Sequence, residues 1–140
     1  MENILAIDLG RKTMGLALSR TGLLVTPLDN PHFDLDCYEE DIEYLKDLFL
    51  EEYIENIVIG YPLYPSGDPC KMTPIVDKFI ILLKENFPNI NIYKQDERYS
   101  TTTASSYLSE KGYNKKKQKA VIDKMAACVI LENFLNSINK

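Results

Sequence analysis

The sequence holds one histidine, three cysteines and no apolar run that approaches the ~20 residues needed to cross a bilayer. The lone histidine, His32, stands in a loop of Pro, Asn and Asp. A multi-histidine metal site is thereby excluded, and a Ser-His-Asp triad would rest on a loop residue with no visible partner. Cys37, Cys70 and Cys128 are odd in number and far apart, so they make neither a zinc spacing nor a disulfide framework. A reduced, cytoplasmic setting is expected. The opening residues, MENILAID, lack the basic start and the cleavage site of a signal peptide. A net charge of −5 counts against a protein that coats nucleic acid.

What is present suits one soluble domain, taken here as residues 1–140, with a core of useful size. Of the residues, 45% are apolar and 26% charged, an ordinary globular balance. The charge is unevenly placed. KGYNKKKQK (111–119) carries five lysines in nine residues, whereas acids crowd DLDCYEEDIEYLKDLFLEEY (34–53). Taken alone, the lysine run reads as a solvated loop.

Three short apolar runs open the chain: Asn3 to Leu9, Met14 to Ser19, and Leu23 to Leu28. The connections GRKT and RTG are too short for helices, so the runs predict an antiparallel three-stranded meander. From residue 36 the period changes. Tyr38, Ile42, Leu45, Phe49 and Tyr53 recur at helical intervals, which predicts an amphipathic helix over 36–53. NIVIG (56–60) has the continuous apolar character of a central parallel strand. YPLYPSGDP is a loop, a second helix carries Ile75, Phe79, Leu82 and Leu83, and NINIYKQ (89–95) is a fifth strand. STTTASSYLSEKG (100–112) has N-capping residues at its start and Gly at its end, a third helix. Residues 119–137 form the last. The order βββαβαβαα predicts an α/β fold in which a five-stranded mixed sheet, order 3-2-1-4-5, is flanked by helices.

Three acids fall at element ends. Asp8 closes the first strand, Asp96 and Glu97 lie where the fifth strand runs toward a helix, and Asp123 opens the last helix. At ~100° per residue, Asp123 shares a face with Ala126, Ala127, Ile130 and Phe134. Each acid has a plain structural explanation. Asp8 before Gly suits a turn, and Asp96, Glu97 and Asp123 suit helix N-terminal dipoles. Convergence of all three at one sheet edge would instead raise their pKa values and call for a cation. Oxygen ligands without His or Cys select the hard ions Mg²⁺ or Mn²⁺. Two such ions ~4 Å apart are a common device for phosphodiester cleavage.

AIDLGRKTMGLALS, VIGYPLYPSGDP, DERYSTTTA and IDKMAACVIL occur in the order seen in the YqgF family, which the chain resembles over almost its whole length. The family comprises bacterial proteins of ribonuclease H-like fold, assigned as nucleases of precursor 16S ribosomal RNA and formerly described as Holliday junction resolvases. The resemblance implies that Asp8, Glu97 and Asp123 are the catalytic, metal-binding acids. Arg98 is the DER arginine, and Gly60, Pro62 and Gly67 form the glycine loop. Tyr99, Ser100 and Cys128 depart from the usual pattern without touching a proposed ligand.

A metal-dependent endonuclease is therefore expected, processing the 5′ end of precursor 16S rRNA on pre-ribosomal particles, with structured RNA favoured over branched DNA and no membrane partner. Arg11, Lys12, Gly60, Arg98, Lys115, Lys116, Lys117 and Lys119 are the expected substrate-binding residues, the lysines as a mobile loop beside the site. A resolvase of branched DNA uses the same acids and stays open as an alternative. A non-catalytic nucleic-acid module would not need all three acids. Actin-like ATPases and sugar kinases share a similar Asp-Gly turn but need two such domains and more than twice this length.

Overall fold

The computed structural model describes residues 1–97 and 115–139, with side chains of the last helix described from residue 125 onward. Arg98 and the helix expected over 100–112 lie outside the described residues.

Five strands form one sheet: β1 (Ile4–Leu9), β2 (Met14–Ser19), β3 (Thr26–Asp29), β4 (Asn56–Tyr61) and β5 (Asn91–Asp96). Their order is β3-β2-β1-β4-β5, as expected. β1 pairs antiparallel with β2, and β2 with β3, while β4 runs parallel to both β1 and β5. Among the described residues three helices cover the sheet: α1 (Tyr38–Glu51), α2 (Thr73–Asn86) and α3 (Lys115–Ile138).

Alternation along the central strands divides the core in two. Leu5, Ile7 and Leu9 of β1 pack with Met14, Leu16, Ile57 and Ile59 beneath Ile42 and Leu45 of α1 and Val76, Phe79 and Leu83 of α2. Ile4, Ala6, Ala17 and Val58 point the other way, onto Ala127, Ile130, Leu131 and Phe134 of α3. Small residues at Ala6, Ala17 and Ala127, each fully buried, bring α3 close to the sheet. Asp8 follows Ile4 and Ala6 in this alternation and therefore belongs to the α3 face.

Two expected boundaries change. Leu23 and Leu24 were expected within β3 but lie in the β2–β3 turn, 78% and 74% exposed. Thr21 Oγ1 accepts hydrogen bonds from the backbone N–H groups of both, and Gly22 turns the chain at φ 81°. A side chain that satisfies those donors removes them from the sheet ladder. α3 also begins earlier than expected, at Lys115 rather than residue 119. Lys115, Lys116, Lys117 and Lys119 are thus positions in its first two turns, not a loop ahead of it. Lys and Gln are good helix formers, and no Gly or Pro interrupts the segment. Asp123 consequently sits two turns inside the helix rather than at its start.

Candidate active site

β1 and β5 never touch, since β4 lies between them. The site is built across that intervening strand. β4 and β5 stay in register to the last pair, Tyr61 with Asp96, and the Glu97 N–H continues the ladder to the Tyr61 carbonyl at 3.3 Å. Glu97 is thereby carried just past the carboxyl end of the sheet. Gly15 stands directly opposite Asp8 on β2, and Gly60 follows the residue of β4 that pairs with Ile7. Glycine on both flanking strands leaves room beside Asp8 for side chains from other elements.

Glu97 uses the space over Gly60. A Cβ placed on Gly60 would overlap Glu97 Oε2, stand 2.9 Å from its Cδ and 2.5 Å from Ile130 Cδ1. The sequence offers Gly60 as a substrate contact; in the structure its missing side chain also leaves room for the Glu97 carboxyl beside Ile130 of α3. The Glu97 carboxyl is held far above the usual carboxylate range. Burial is the largest cause, followed by the charge of Asp8 and a hydrogen bond with it, then by Cys70 and Asp96. Two carboxyls sharing one proton demand either that proton or a cation. An all-oxygen pair in a half-buried setting fits a hard divalent ion. Position 123 of α3 lies one turn ahead of Ala127 and about two ahead of Ile130, both of which pack on the sheet.

The strand ends are pinned from outside. Arg11, in the turn after β1, forms a paired bridge to Asp36 at 3.1 and 2.6 Å, and the Asp36 N–H donates to the Arg11 carbonyl. Asp36 holds a positive φ of 55° in this arrangement. Its carboxyl is lowered by the Arg11 hydrogen bond. A phosphate reaching Arg11 has to compete with that partner. Lys12 shares the turn, where its carbonyl accepts from the Phe33 N–H at 2.7 Å. His32 is exposed and its backbone bridges to Thr13, in the turn between β1 and β2.

Composition alone gave no role to the Pro62–Cys70 loop's anchor, Thr73. This residue is 3% exposed at the head of α2. Its hydroxyl donates to the Pro62 carbonyl at 2.6 Å and accepts from the Cys70 N–H at 2.8 Å, closing the loop that follows Gly60. The Cys70 thiol, whose charge bears on Glu97, is lowered chiefly by the Thr73 hydroxyl. The sequence signal is Cys-x-x-Thr-Pro, in which Pro74 can open a helix.

A second acidic group lies before α1, where ligand atoms of Asp34, Cys37 and Glu40 fall within 4.8 Å of one another. Burial and the charges of Glu40 and Asp34 push the Cys37 thiol up. Both carboxylates are exposed.

A mixed sheet ordered 3-2-1-4-5, with paired acids at its carboxyl edge and a helix closing over them, defines a ribonuclease H-like α/β protein. The family model for RuvX, described as Holliday junction resolvase, matches residues 2–137, and the chain belongs to this family. Relatives named "Putative pre-16S rRNA nuclease" span nearly the whole chain. That of Mesomycoplasma hyopneumoniae is 38% identical over 97% of this chain and 95% of its own. That of Chlorobaculum tepidum is 35% identical over 97% and 94%, and that of Flavobacterium psychrophilum 32% over 96% and 97%.

Proposed function

We propose that this chain is a divalent-metal-dependent nuclease that processes the 5′ end of precursor 16S rRNA, its residues 1–140 forming one nuclease domain. The observation that carries the reading is the meeting of the Asp8 and Glu97 carboxyls over Gly60, an arrangement that is unfavourable without a shared proton or a cation. Asp8, Glu97 and Asp123 would hold Mg²⁺ or Mn²⁺, most simply as two ions. When bound, such ions supply a Lewis acid that makes a water nucleophilic and neutralises the departing oxygen.

The chain's own residues supply the rest. Gly60 and Ile130 border the Glu97 carboxyl, which shares a hydrogen bond with Asp8. Lys115, Lys116, Lys117 and Lys119 place four cations at the amino end of a 24-residue helix, where the helix dipole is already positive. That concentration is unfavourable by itself and favourable beside a phosphate backbone. Arg98, Lys12 and, on release from Asp36, Arg11 would add phosphate contacts. Among the described residues no helix is long and apolar enough to cross a membrane. We place the protein in the cytoplasm, acting on pre-ribosomal particles.

The description of the RuvX family favours a second reading, cleavage of branched DNA. One assay separates the two. Fragments spanning the 5′ end of 16S rRNA and four-way DNA junctions are incubated with the protein in Mg²⁺ or Mn²⁺. Cleavage of the RNA, lost in Glu97→Gln, supports the proposal. Cleavage confined to the junctions supports the alternative, and cleavage that survives Glu97→Gln or chelation overturns the assignment of the acids.

A further inference from the structure

The charge of this chain is segregated. Residues 34–55 hold ten of its 21 acids and one of its 16 basic residues, a net charge of −9, which leaves +4 for the rest. On α1, Glu39, Glu40, Glu43, Asp47 and Glu51 are all exposed. Nucleic acid is repelled by such a face, so these acids serve something other than the substrate.

Beside the acidic ridge lies an apolar groove of about 450 Å³ between the C-terminal ends of α1 and α2. Its lining holds the edge-to-face pair Phe49 and Phe87, with centroids 4.8 Å apart, together with Ile90 and Pro88. Leu50 stands on the rim, 85% exposed, one turn beyond Lys46 and flanked on α1 by Asp47 and Glu51. Lys46, the single cation of the lining, is occupied by Glu43 at 3.3 Å. A large aliphatic side chain left in water at the mouth of an aromatic-lined groove is the anatomy of a binding anchor.

We propose that this groove is a docking site for a cationic amphipathic segment of a basic protein. Its leucine- or phenylalanine-type side chain fills the Phe49–Phe87 groove, and its lysines or arginines face Glu43, Asp47 and Glu51. The charge of the ridge selects this occupant. A second copy of the chain would have to bring −9 against −9. The location also suits a partner that does not compete with substrate. β4 and β5 begin at Asn56 and Asn91, shortly after α1 and the groove, whereas Asp8 and Glu97 lie at and just past the opposite strand ends. Six residues of strand separate the two by about 20 Å. Docking and cleavage are therefore independent, and this inference stands or falls apart from the nuclease reading.

The test uses a short Leu–Lys amphipathic helical peptide as probe, read by amide shift mapping and by titration against the full chain. Shifts confined to residues 43–51 and 86–90 are expected, with affinity falling as salt rises. Leu50→Ser, at an exposed site that the fold does not need, should weaken binding about tenfold through loss of one aliphatic anchor. Glu43→Gln with Asp47→Asn and Glu51→Gln should weaken it comparably and remove most of the salt dependence. A Leu–Gln peptide of the same pattern should bind more weakly than Leu–Lys. Shifts elsewhere, equal binding by Leu–Gln, or indifference to both sets of substitutions overturns the proposal. So does sedimentation that shows the wild type dimeric and Leu50→Ser monomeric, because the groove would then belong to a second copy.

Discussion

Gly60→Ala adds one methyl group where the site has no room for it, and the consequences can be followed atom by atom. The new Cβ overlaps Glu97 Oε2 and meets Ile130 Cδ1 at 2.5 Å. Both neighbours are side-chain ends, so the fold survives while they move. Overpacking of this kind costs about 1–3 kcal/mol, which lowers Tm by roughly 3–10 °C in a domain of this size. The second consequence is specific to the site. Glu97 must shift its carboxyl to make room, which disturbs its hydrogen-bonded pairing with Asp8. An ion at a hundred times its Kd stabilises the folded wild type by about 2.7 kcal/mol; Gly60→Ala should lose most of that gain.

Ile130→Val separates the two effects. It removes Cδ1, the methyl that meets the new Cβ, at a cost by itself of about 0.5–1.5 kcal/mol. Combined with Gly60→Ala, it should make the loss smaller than the two single losses added together, since the residues share one clash. The response to ion should stay absent, because Oε2 is still displaced. Thermal melts of the four proteins with and without Mn²⁺ read both quantities. If Gly60→Ala keeps the wild-type Tm and the wild-type shift with Mn²⁺, the Glu97 carboxyl does not rest against position 60 and the reasoning fails. If it instead keeps the ion response and loses only RNA affinity, Gly60 is a substrate contact after all.

Asp8→Asn keeps an acceptor oxygen beside Glu97 and removes the like charge, so the metal-free protein should melt as high as wild type or higher while cleavage is lost. A lower melt with cleavage intact would make Asp8 a turn residue only. Asp41 is 2% exposed, and its carboxyl is pushed up to about 7, chiefly by burial. The folded state therefore holds a proton that the unfolded state releases near 3.8, and stability falls as pH rises from about 4 to about 7. Asp41→Asn should flatten that limb and raise stability at pH 8 by on the order of 2–4 kcal/mol, measured by denaturant melts across pH. Thr73→Val leaves the Pro62 carbonyl and the Cys70 N–H without their partner. A loss of about 1–3 kcal/mol is expected, with faster amide exchange from Pro62 to Cys70; unchanged exchange would show that the loop is held elsewhere. Exchanging Lys115, Lys116, Lys117 and Lys119 for Gln should weaken binding to all RNA sequences alike and flatten its salt dependence. The same exchange relieves the amino end of α3 and should raise Tm slightly, so a fall in Tm would count against the helical placement of these residues.

The strand order was legible because continuous apolar runs can belong only to the centre of a mixed sheet. Ile4 to Ile7 and Ile57 to Ile59 have no polar face to offer water, so β1 and β4 had to be covered on both sides. Hydropathy failed where a polar side chain takes over backbone duty. Leu23 and Leu24 are as apolar as any strand residue, yet the Thr21 hydroxyl takes their N–H groups, and nothing in a periodicity records that choice. It failed again at Lys115, because a run of like charges resembles a loop by composition while its members are good helix formers. The acids show the same limit from the other side. Motif order nominated Asp8 and Glu97, but their meeting depends on the β4–β5 register holding through Tyr61 and Asp96 and on glycine at position 60. A pattern read along one strand cannot report what faces it two strands away. Gly60 was therefore visible in the sequence as a loop glycine and became intelligible only as the absence of a side chain beneath a carboxylate. Space of this kind is fixed by neighbours on three elements, β1, β5 and α3, and a single substitution at position 60 tests all three together.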